Sequence, residues 1–570
     1  VSNIGFIGRR DELARLGRYL DDVRSDSQGR LLVVRGRRQV GKSRLVTEFC
    51  AHAGVPVLFS TASRQGSARD DLDRFAADVA RKSDLPGAEL FIDAAPPHWE
   101  AALRMVAAGL PTQGPALVVL DEFPWLLQSD ASLDGALQKV WDTVLEHRPV
   151  LFILIGSDLA VMEALSTHGR PLFGRTAELV VRPLHPADTA DMLNLAPADA
   201  LDAQLVTGGY PRMLFELRRS PDLGAFLAGQ LSDENSVLVT LITTGRSNRS
   251  WSGCGSVLGR CASWRAGSDL PVSLSGEVAE ARRSRVARSA IARDAVGALD
   301  VGGAASDTAQ RPLDQCDCFD RLRPPTTGER ILAAEFPAAA RAVDVLDVIG
   351  SGEDRFTTIA AAAEMQQAVL ARSLRLLVRD KRVVAMDEPV SLQPRRDPRY
   401  RLGDEYLSFW WRFVRPGVDD IARGRGDIAL RRWQEGWTSY RGKTIEPLVR
   451  DVLLRLARND GQLPASEHVG GWWTRTRDAE LELVGVDRWP RARRIAFVGS
   501  VKWRERAAFD RRDVETLARQ RASLNGAADA PMIAVSRSGG RVDGLAATLG
   551  PEDLLSAWRT HAPGEREASR

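Results

Sequence analysis

Residues Gly36-Arg37-Arg38-Gln39-Val40-Gly41-Lys42-Ser43 fit the pattern G-x-x-x-x-G-K-[S/T] at every fixed position. They follow the apolar run "LLVV" and open a stretch of helical pattern, as phosphate chemistry requires. In that setting backbone N–H groups and a helix N-terminus wrap phosphate oxygens, Lys42 reaches the β and γ phosphates, and the Ser43 hydroxyl ligates Mg2+. Arg44 extends the same binding set into the helix. A second signal, "ALVVLDEFPWLL", is an apolar strand ending in Asp121-Glu122. Ligands of open parallel sheets bind at the carboxyl ends of strands, so Asp121 can hold Mg2+ through water and Glu122 can act as the base that orients an attacking water. An isolated Asp-Glu pair would read as a solvated turn; downstream of this loop it reads as the loop's partner. "LFILIGSDLAVM" places Ser157 and Asp158 at another strand end, where a polar side chain can sense a γ-phosphate. ATP and Mg2+ are the expected cofactors.

The elements that position these residues are legible as alternation. Between residue 31 and about 182 the runs "LLVVRG", "VPVLFSTA", "ALVVLDE", "VLFILIGS" and "ELVVRPL" alternate with helical stretches, which predicts a parallel sheet covered by helices over 1–182. Residues 183–244 carry helical periodicity interrupted by "GGYP" and are expected to form a helical lid. The expected class is α/β, a P-loop NTPase sheet with a lid, followed by further modules.

The opening "FIGRRDELARL", the P-loop, "LDEFPWL", "IGSDLAVM", "GRPLFGR" and "TGGYPR" occur in the order and spacing of the archaeal-type ATPases, an AAA+/STAND-like group, which this chain resembles over about 1–235. The resemblance implies that the backbone of Ile7 and Gly8 lies near adenine. It also implies that Arg175 is an arginine finger offered to a neighbouring subunit of a homo-oligomer, with Arg170 as its competitor, and that Arg212 is a lid arginine contacting the γ-phosphate. A guanidinium suits such places because its planar fork neutralises charge developing on phosphoryl oxygens. Surface arginines in an arginine-rich chain remain the bland alternative for both.

Beyond the lid the composition changes. Residues 245–327 are rich in Ser, Gly, Ala and Arg and lack sustained period, so they read as a disordered insertion flanked by two "TTG" triplets. The Cys254/Cys261 and Cys316/Cys318 spacings do not match a zinc knuckle. Residues 328–415 read as a winged helix: helices in "AAARAVDVLDVIG", "TTIAAAAEM" and "QAVLARSLRLLVRDKRVV", then strands "VVAMDE" and "RYRLGD" around a basic turn. Arg372, Arg375, Arg379, Lys381 and Arg382 would supply phosphate partners if the module binds DNA; a packing or self-association module is the equal alternative. Residues 430–560 resemble the uncharacterised domain often fused to these ATPases, itself similar to the PD-(D/E)xK restriction-endonuclease-like fold. The matching positions are Glu446, Glu482 and Lys502 of "GSVKW", but Ser500 stands where that pattern needs an acid, which removes a ligand that hard Mg2+ prefers. Glu480 could compensate only if its strand is regular. Trp472, Trp473 and Trp503 could stack bases, although core or interface roles are commoner.

Bulk numbers narrow the classes. Over 570 residues, Lys plus Arg (78) barely exceed Asp plus Glu (75), a net charge of +3, so any nucleic-acid affinity must be local. No run approaches the roughly 20 apolar residues of a membrane span. Five cysteines do not make a disulfide framework, and Cys50 reads as a small core residue. A cytoplasmic location is expected, with a Mg2+-dependent ATPase switch that binds DNA or self-assembles. The alternatives are a nucleotide-binding scaffold with negligible turnover and an ATP-coupled nuclease.

Overall fold

The computed structural model describes residues 6–63, 66–92, 96–240, 341–393, 397–459, 463–476, 478–540 and 542–559. The expected insertion, with its four cysteines, lies outside them. Five strands, β1 (Arg30–Arg35), β2 (Val57–Thr61), β3 (Ala116–Asp121), β4 (Val150–Gly156) and β5 (Thr176–Val180), form a sheet of order β2-β3-β4-β1-β5. Every pairing in it is parallel.

β3 and β4 are buried at every residue, because helices cover both faces and leave no side for polar alternation. Successive side chains feed opposite layers: Leu32, Val34, Leu117 and Val119 join one core, while Leu31, Val33, Val118 and Leu120 join the other. The sheet thus matches the parallel α/β expectation. β4 stands between the strand that leads into the P-loop and the strand that ends in Asp121, so three strand ends meet at one edge.

Five helices follow over 186–240. Helices Ala342–Ser351, Phe356–Ala362 and Gln367–Arg375 then precede an antiparallel hairpin of β6 (Val384–Asp387) and β7 (Arg399–Leu402), with a further bridge from Arg355 to Arg399. The last of those helices widens into a π turn over Leu376–Asp380. The expected elements are present here, and part of the basic turn, 394–396, lies outside the described residues.

A 34-residue helix, Gly426–Asn459, packs on a second sheet of β8 (His468–Trp473), β9 (Glu480–Val486), β10 (Ile495–Lys502), β11 (Met532–Ser536) and β12 (Ala547–Leu549), in the order β12-β11-β10-β9-β8. β8–β9 and β9–β10 are antiparallel; β10–β11 and β11–β12 are parallel.

These regions are not separate bodies. One apolar cluster runs from Leu32 and Val34 through Leu205 and Tyr406 to Phe497 and Trp503, and residues 1–242 with 332–570 make one compact unit. A buried carboxylate fastens the join. Asp202, on the helix Pro197–Thr207, accepts from Trp503 Nε1 at 2.8 Å, Arg441 at 3.1 Å and Arg537 Nε at 3.2 Å. Burial pushes its carboxyl pKa up, and those three donors oppose the shift.

Candidate functional site

The loop after β1 is shaped by what its glycines exclude. A Cβ on Gly36 would meet the Val181 carbonyl oxygen at 2.2 Å, and Gly41, at φ 92°, caps the helix Lys42–His52 in a left-handed conformation. Gln39 also has positive φ. Alternating backbone signs of this kind turn successive N–H groups inward and make an anion nest. Val40 anchors the loop by its fully buried side chain, and its carbonyl accepts Arg9 NH2 at 2.7 Å.

Lys42 is buried and donates to the carbonyls of Gly36 and Arg37, each at 2.9 Å. Burial lowers its pKa to about 8, against the pull of Glu122 and Asp121. The Ser43 hydroxyl hydrogen-bonds the Asp121 carboxylate, which also accepts the Glu122 N–H at 2.9 Å. Ser157, one residue beyond β4, donates to Glu122 at 3.1 Å. Burial raises the pKa of both carboxyls, and Asp121 in turn pushes Glu122 further. Lys42, Ser43, Asp121, Glu122 and Ser157 therefore converge, as their strand ends require.

The oxygen donors of Ser43 and Asp121 suit a hard divalent cation. Mg2+ usually takes one or two carboxylates, with substrate phosphates and water completing its shell. Among the described residues, no three His, Cys, Asp or Glu side chains are placed to share a metal ion.

The other sequence candidates divide. Ile7 packs beside Leu184, Met192 and Leu214, and Gly8, at φ 75°, lies against Asp188. Arg212 is exposed on the helix Pro211–Leu217; the preceding Pro211 would stand 3.7 Å from a Cβ on Gly41, which puts the start of that helix beside the loop. Arg38 is close enough to oppose the charge on Lys42, and Arg44 turns outward to Glu48 at 3.4 Å. Arg175 is gripped by both oxygens of Asp142, at 2.6 and 2.8 Å, and also donates to the carbonyls of Pro171 and Phe173, so it does not join the cluster of its own chain. Arg170 approaches Asp134 at 4.0 Å. Cys50 is partly buried against the core, which raises its thiol pKa to about 12.

A second cluster assembles where the long helix crosses the C-terminal sheet. Glu446 and Arg450 are one turn apart, and Arg450 donates to Glu446 at 2.9 Å and to the Glu482 carbonyl at 2.9 Å. Lys502 Nζ stands 3.6 Å from Glu482. Burial raises the Glu446 pKa to about 7, with Arg450 opposing and Glu482 and Glu480 adding to the shift. Glu480 makes its hydrogen bonds outside this group, because Arg399 of β7 holds both its oxygens at 2.6 and 3.2 Å. Trp472, Trp473 and Trp503 are buried, so the base-stacking option is corrected; Trp473 donates to the Asp397 carbonyl and Trp503 to Asp202. Arg382, offered as a phosphate partner, faces Glu163 at 3.6 Å, whereas Arg372, Arg375 and Arg379 are exposed and form no ion pair among the described residues.

Sequence reasoning passed over Arg9, Tyr210, Asp404 and Arg450. Only Arg450 left a local signal, its four-residue spacing from Glu446.

Residues 5–153 match the AAA ATPase domain. The chain carries an AAA ATPase domain at its N-terminus. The ATPase domain is followed, over 410–516, by a match to a domain described as "Archaea bacterial proteins of unknown function". An uncharacterized protein of Methanocaldococcus jannaschii is 25% identical over 181 residues, 31% of this chain. The chain thus spans about a third (36%) of that curated relative. Among solved structures, a Walker-type ATPase of Pyrococcus abyssi is similar at a TM-score of 0.42 and 15% identity, covering 71% of this chain and 96% of its own. The ORC2 protein of Aeropyrum pernix, in ADPNP and ADP complexes, gives 0.32 and 13%, covering 75% and 95%. No helix among the described residues is long and apolar enough to cross a membrane.

Proposed function

We propose that the protein is a Mg2+-dependent ATPase that works as a nucleotide-driven switch. The observation that carries this reading is the convergence of Lys42, Ser43, Asp121, Glu122 and Ser157 at the ends of three adjacent strands. Gly36 to Arg44 cradle the phosphates of ATP, with Lys42 leaving the loop carbonyls for the β and γ oxygens. Ser43 and Asp121 hold Mg2+, which when bound neutralises charge on the phosphate oxygens. Glu122, steadied by Ser157, orients the attacking water, and its raised pKa brings it nearer the range of an effective base. Arg212 reaches the γ-phosphate from the lid, while Ile7 and Gly8 face the adenine. Arg175 serves a neighbouring copy, which its engagement with Asp142 leaves it free to do only by exchanging partners.

The described part of 328–415 reads as a winged helix that meets a DNA backbone through Arg372, Arg375 and Arg379, spaced by three and four residues and exposed. The C-terminal region reads as a nuclease-like fold without nuclease chemistry. Its support is that Ser500 supplies no charge and Arg450 already neutralises Glu446.

Glu122→Gln is the test. It should keep ATP binding while lowering phosphate release by about 100-fold or more, the scale of losing a positioned base. Turnover equal to wild type would remove Glu122 from the mechanism. Duplex DNA should bind with an affinity that falls with salt.

A further inference from the structure

Arg37 occupies a variable position of the P-loop, yet its side chain leaves the phosphate cradle. NH1 donates to Asp404 Oδ2 at 2.8 Å and NH2 to the Arg382 carbonyl at 3.0 Å. These two partners sit at the two feet of one hairpin: Arg382 shortly precedes β6 and Asp404 shortly follows β7. The Gly403 N–H closes the same base on the Val383 carbonyl at 2.9 Å.

Asp404 is buried and fully employed. Its Oδ2 also accepts the hydroxyl of Tyr210 at 3.0 Å, and its Oδ1 caps the following helix at the Leu407 N–H, 2.9 Å away. Tyr210 belongs to "GGYPR", two residues before Arg212, and its hydroxyl hydrogen-bonds Arg37 as well. Three regions, the P-loop, the lid and the hairpin, therefore meet at one guanidinium–carboxylate pair.

We propose that this pair couples nucleotide occupancy to the hairpin, with Asp404 as a positioning residue that acts on the P-loop through Arg37. The inference rests on the nucleotide-site reading above. In the structure Lys42 is tied to the carbonyls of Gly36 and Arg37. Reaching a phosphate frees the Arg37 carbonyl and lets its peptide turn, while the side chain stays held by a buried carboxylate that, among the described residues, pairs with no other arginine. Removing one member of such a pair strands the other's charge, so loop and hairpin shift together rather than apart. The helix bearing Arg372 and Arg375 runs through the π turn directly into Arg382, so a displacement at the hairpin's foot reaches the exposed arginines. The loop's side chain is thus a lever, and Asp404 its seat.

The test uses the full chain with adenylyl imidodiphosphate and Mg2+. Nucleotide affinity is measured by calorimetry, and hydrogen exchange over 376–409 is followed with and without nucleotide. Wild type should change its exchange on binding. Asp404→Asn should bind about tenfold more weakly and lose that response. Arg37→Ala combined with Asp404→Asn should cost no more than the worse single change, because both remove one interaction. Tyr210→Phe, which deletes only a hydroxyl, serves if Asp404→Asn fails to fold; it should blunt the exchange response while the protein still binds. Additive losses, or a hairpin response in Asp404→Asn and Tyr210→Phe equal to wild type, would overturn the coupling and leave the ATPase reading standing. Failure of wild type to bind nucleotide would remove that reading, and the coupling with it.

Discussion

The two ends of the chain each bring two acidic residues and a lysine to the rim of a sheet, and they treat the charge in opposite ways. Around Asp121 and Glu122 no salt bridge forms among the described residues; two hydroxyls and a backbone N–H are the partners, and burial raises the pKa of both carboxyls. Lys42 spends its hydrogen bonds on carbonyls rather than carboxylates. Around Glu446 and Glu482 the charge is already matched, by Arg450 at 2.9 Å and Lys502 at 3.6 Å. On the proposed reading, the first cluster leaves its electrostatics to be completed by an anion and a cation, whereas the second pairs its charges internally.

The comparison breaks most visibly at the two lysines. Lys42→Ala should lower affinity for MgATP by at least about 100-fold in a fluorescent-nucleotide titration, as loss of a charge-assisted phosphate contact implies. Lys502→Ala should leave nucleotide affinity and turnover within about twofold. Equal losses from both would mean that the C-terminal cluster contributes to the nucleotide site.

Next in size is the internal cation. Arg450→Ala should destabilise the protein by about 3 kcal/mol in denaturant unfolding, because it strands a buried carboxylate and a backbone carbonyl. If a metal ion could take the guanidinium's place, added Mn2+ would restore that loss. The expected result is no restoration, since Ser500 offers no charge.

The smallest effect is a pH slope. The folded pKa of Glu446, about 7, lies above the ordinary value near 4.3 of an unfolded glutamate. The folded state therefore holds this proton more tightly, and the stability it contributes is full below about pH 4.3 and lost as pH rises towards 7. Glu446→Gln should flatten that decline by about 1 kcal/mol, a modest figure because the side chain keeps some contact with solvent. A slope identical to wild type would place the titration elsewhere.

How much of this was legible in the sequence depends on separation along the chain. β3 and β4 were readable because a doubly covered strand must be apolar throughout, and the P-loop because Gly41 answers a local demand, the left-handed cap of the helix it opens. Ser157 and Asp121 followed from strand ends alone. The distal elements were also visible as local patterns, the hairpin included. What the sequence could not display is pairing at a distance. Nothing near "RLGDEY" announces that Asp404 serves a loop more than 360 positions earlier, and nothing in "VKWRER" says that Trp503 is a donor to Asp202 rather than a platform for bases. Glu480 shows the same limit: it points to the proper side of its strand, yet Arg399, from another sheet, has claimed it.

The single carboxylate of Asp202, with Trp503, Arg441 and Arg537 converging on it, redraws where this protein can be cut. Homology divides the chain at about residues 153 and 410, but those borders describe descent rather than mechanics. A fragment ending after the helices of 186–240 would carry a bared carboxylate on an uncovered apolar flank, while its complement would carry Arg537 without its partners Asp199 and Asp202 and Arg441 with Glu505 alone. The modules can be named separately, yet each should be less stable alone than within the whole chain.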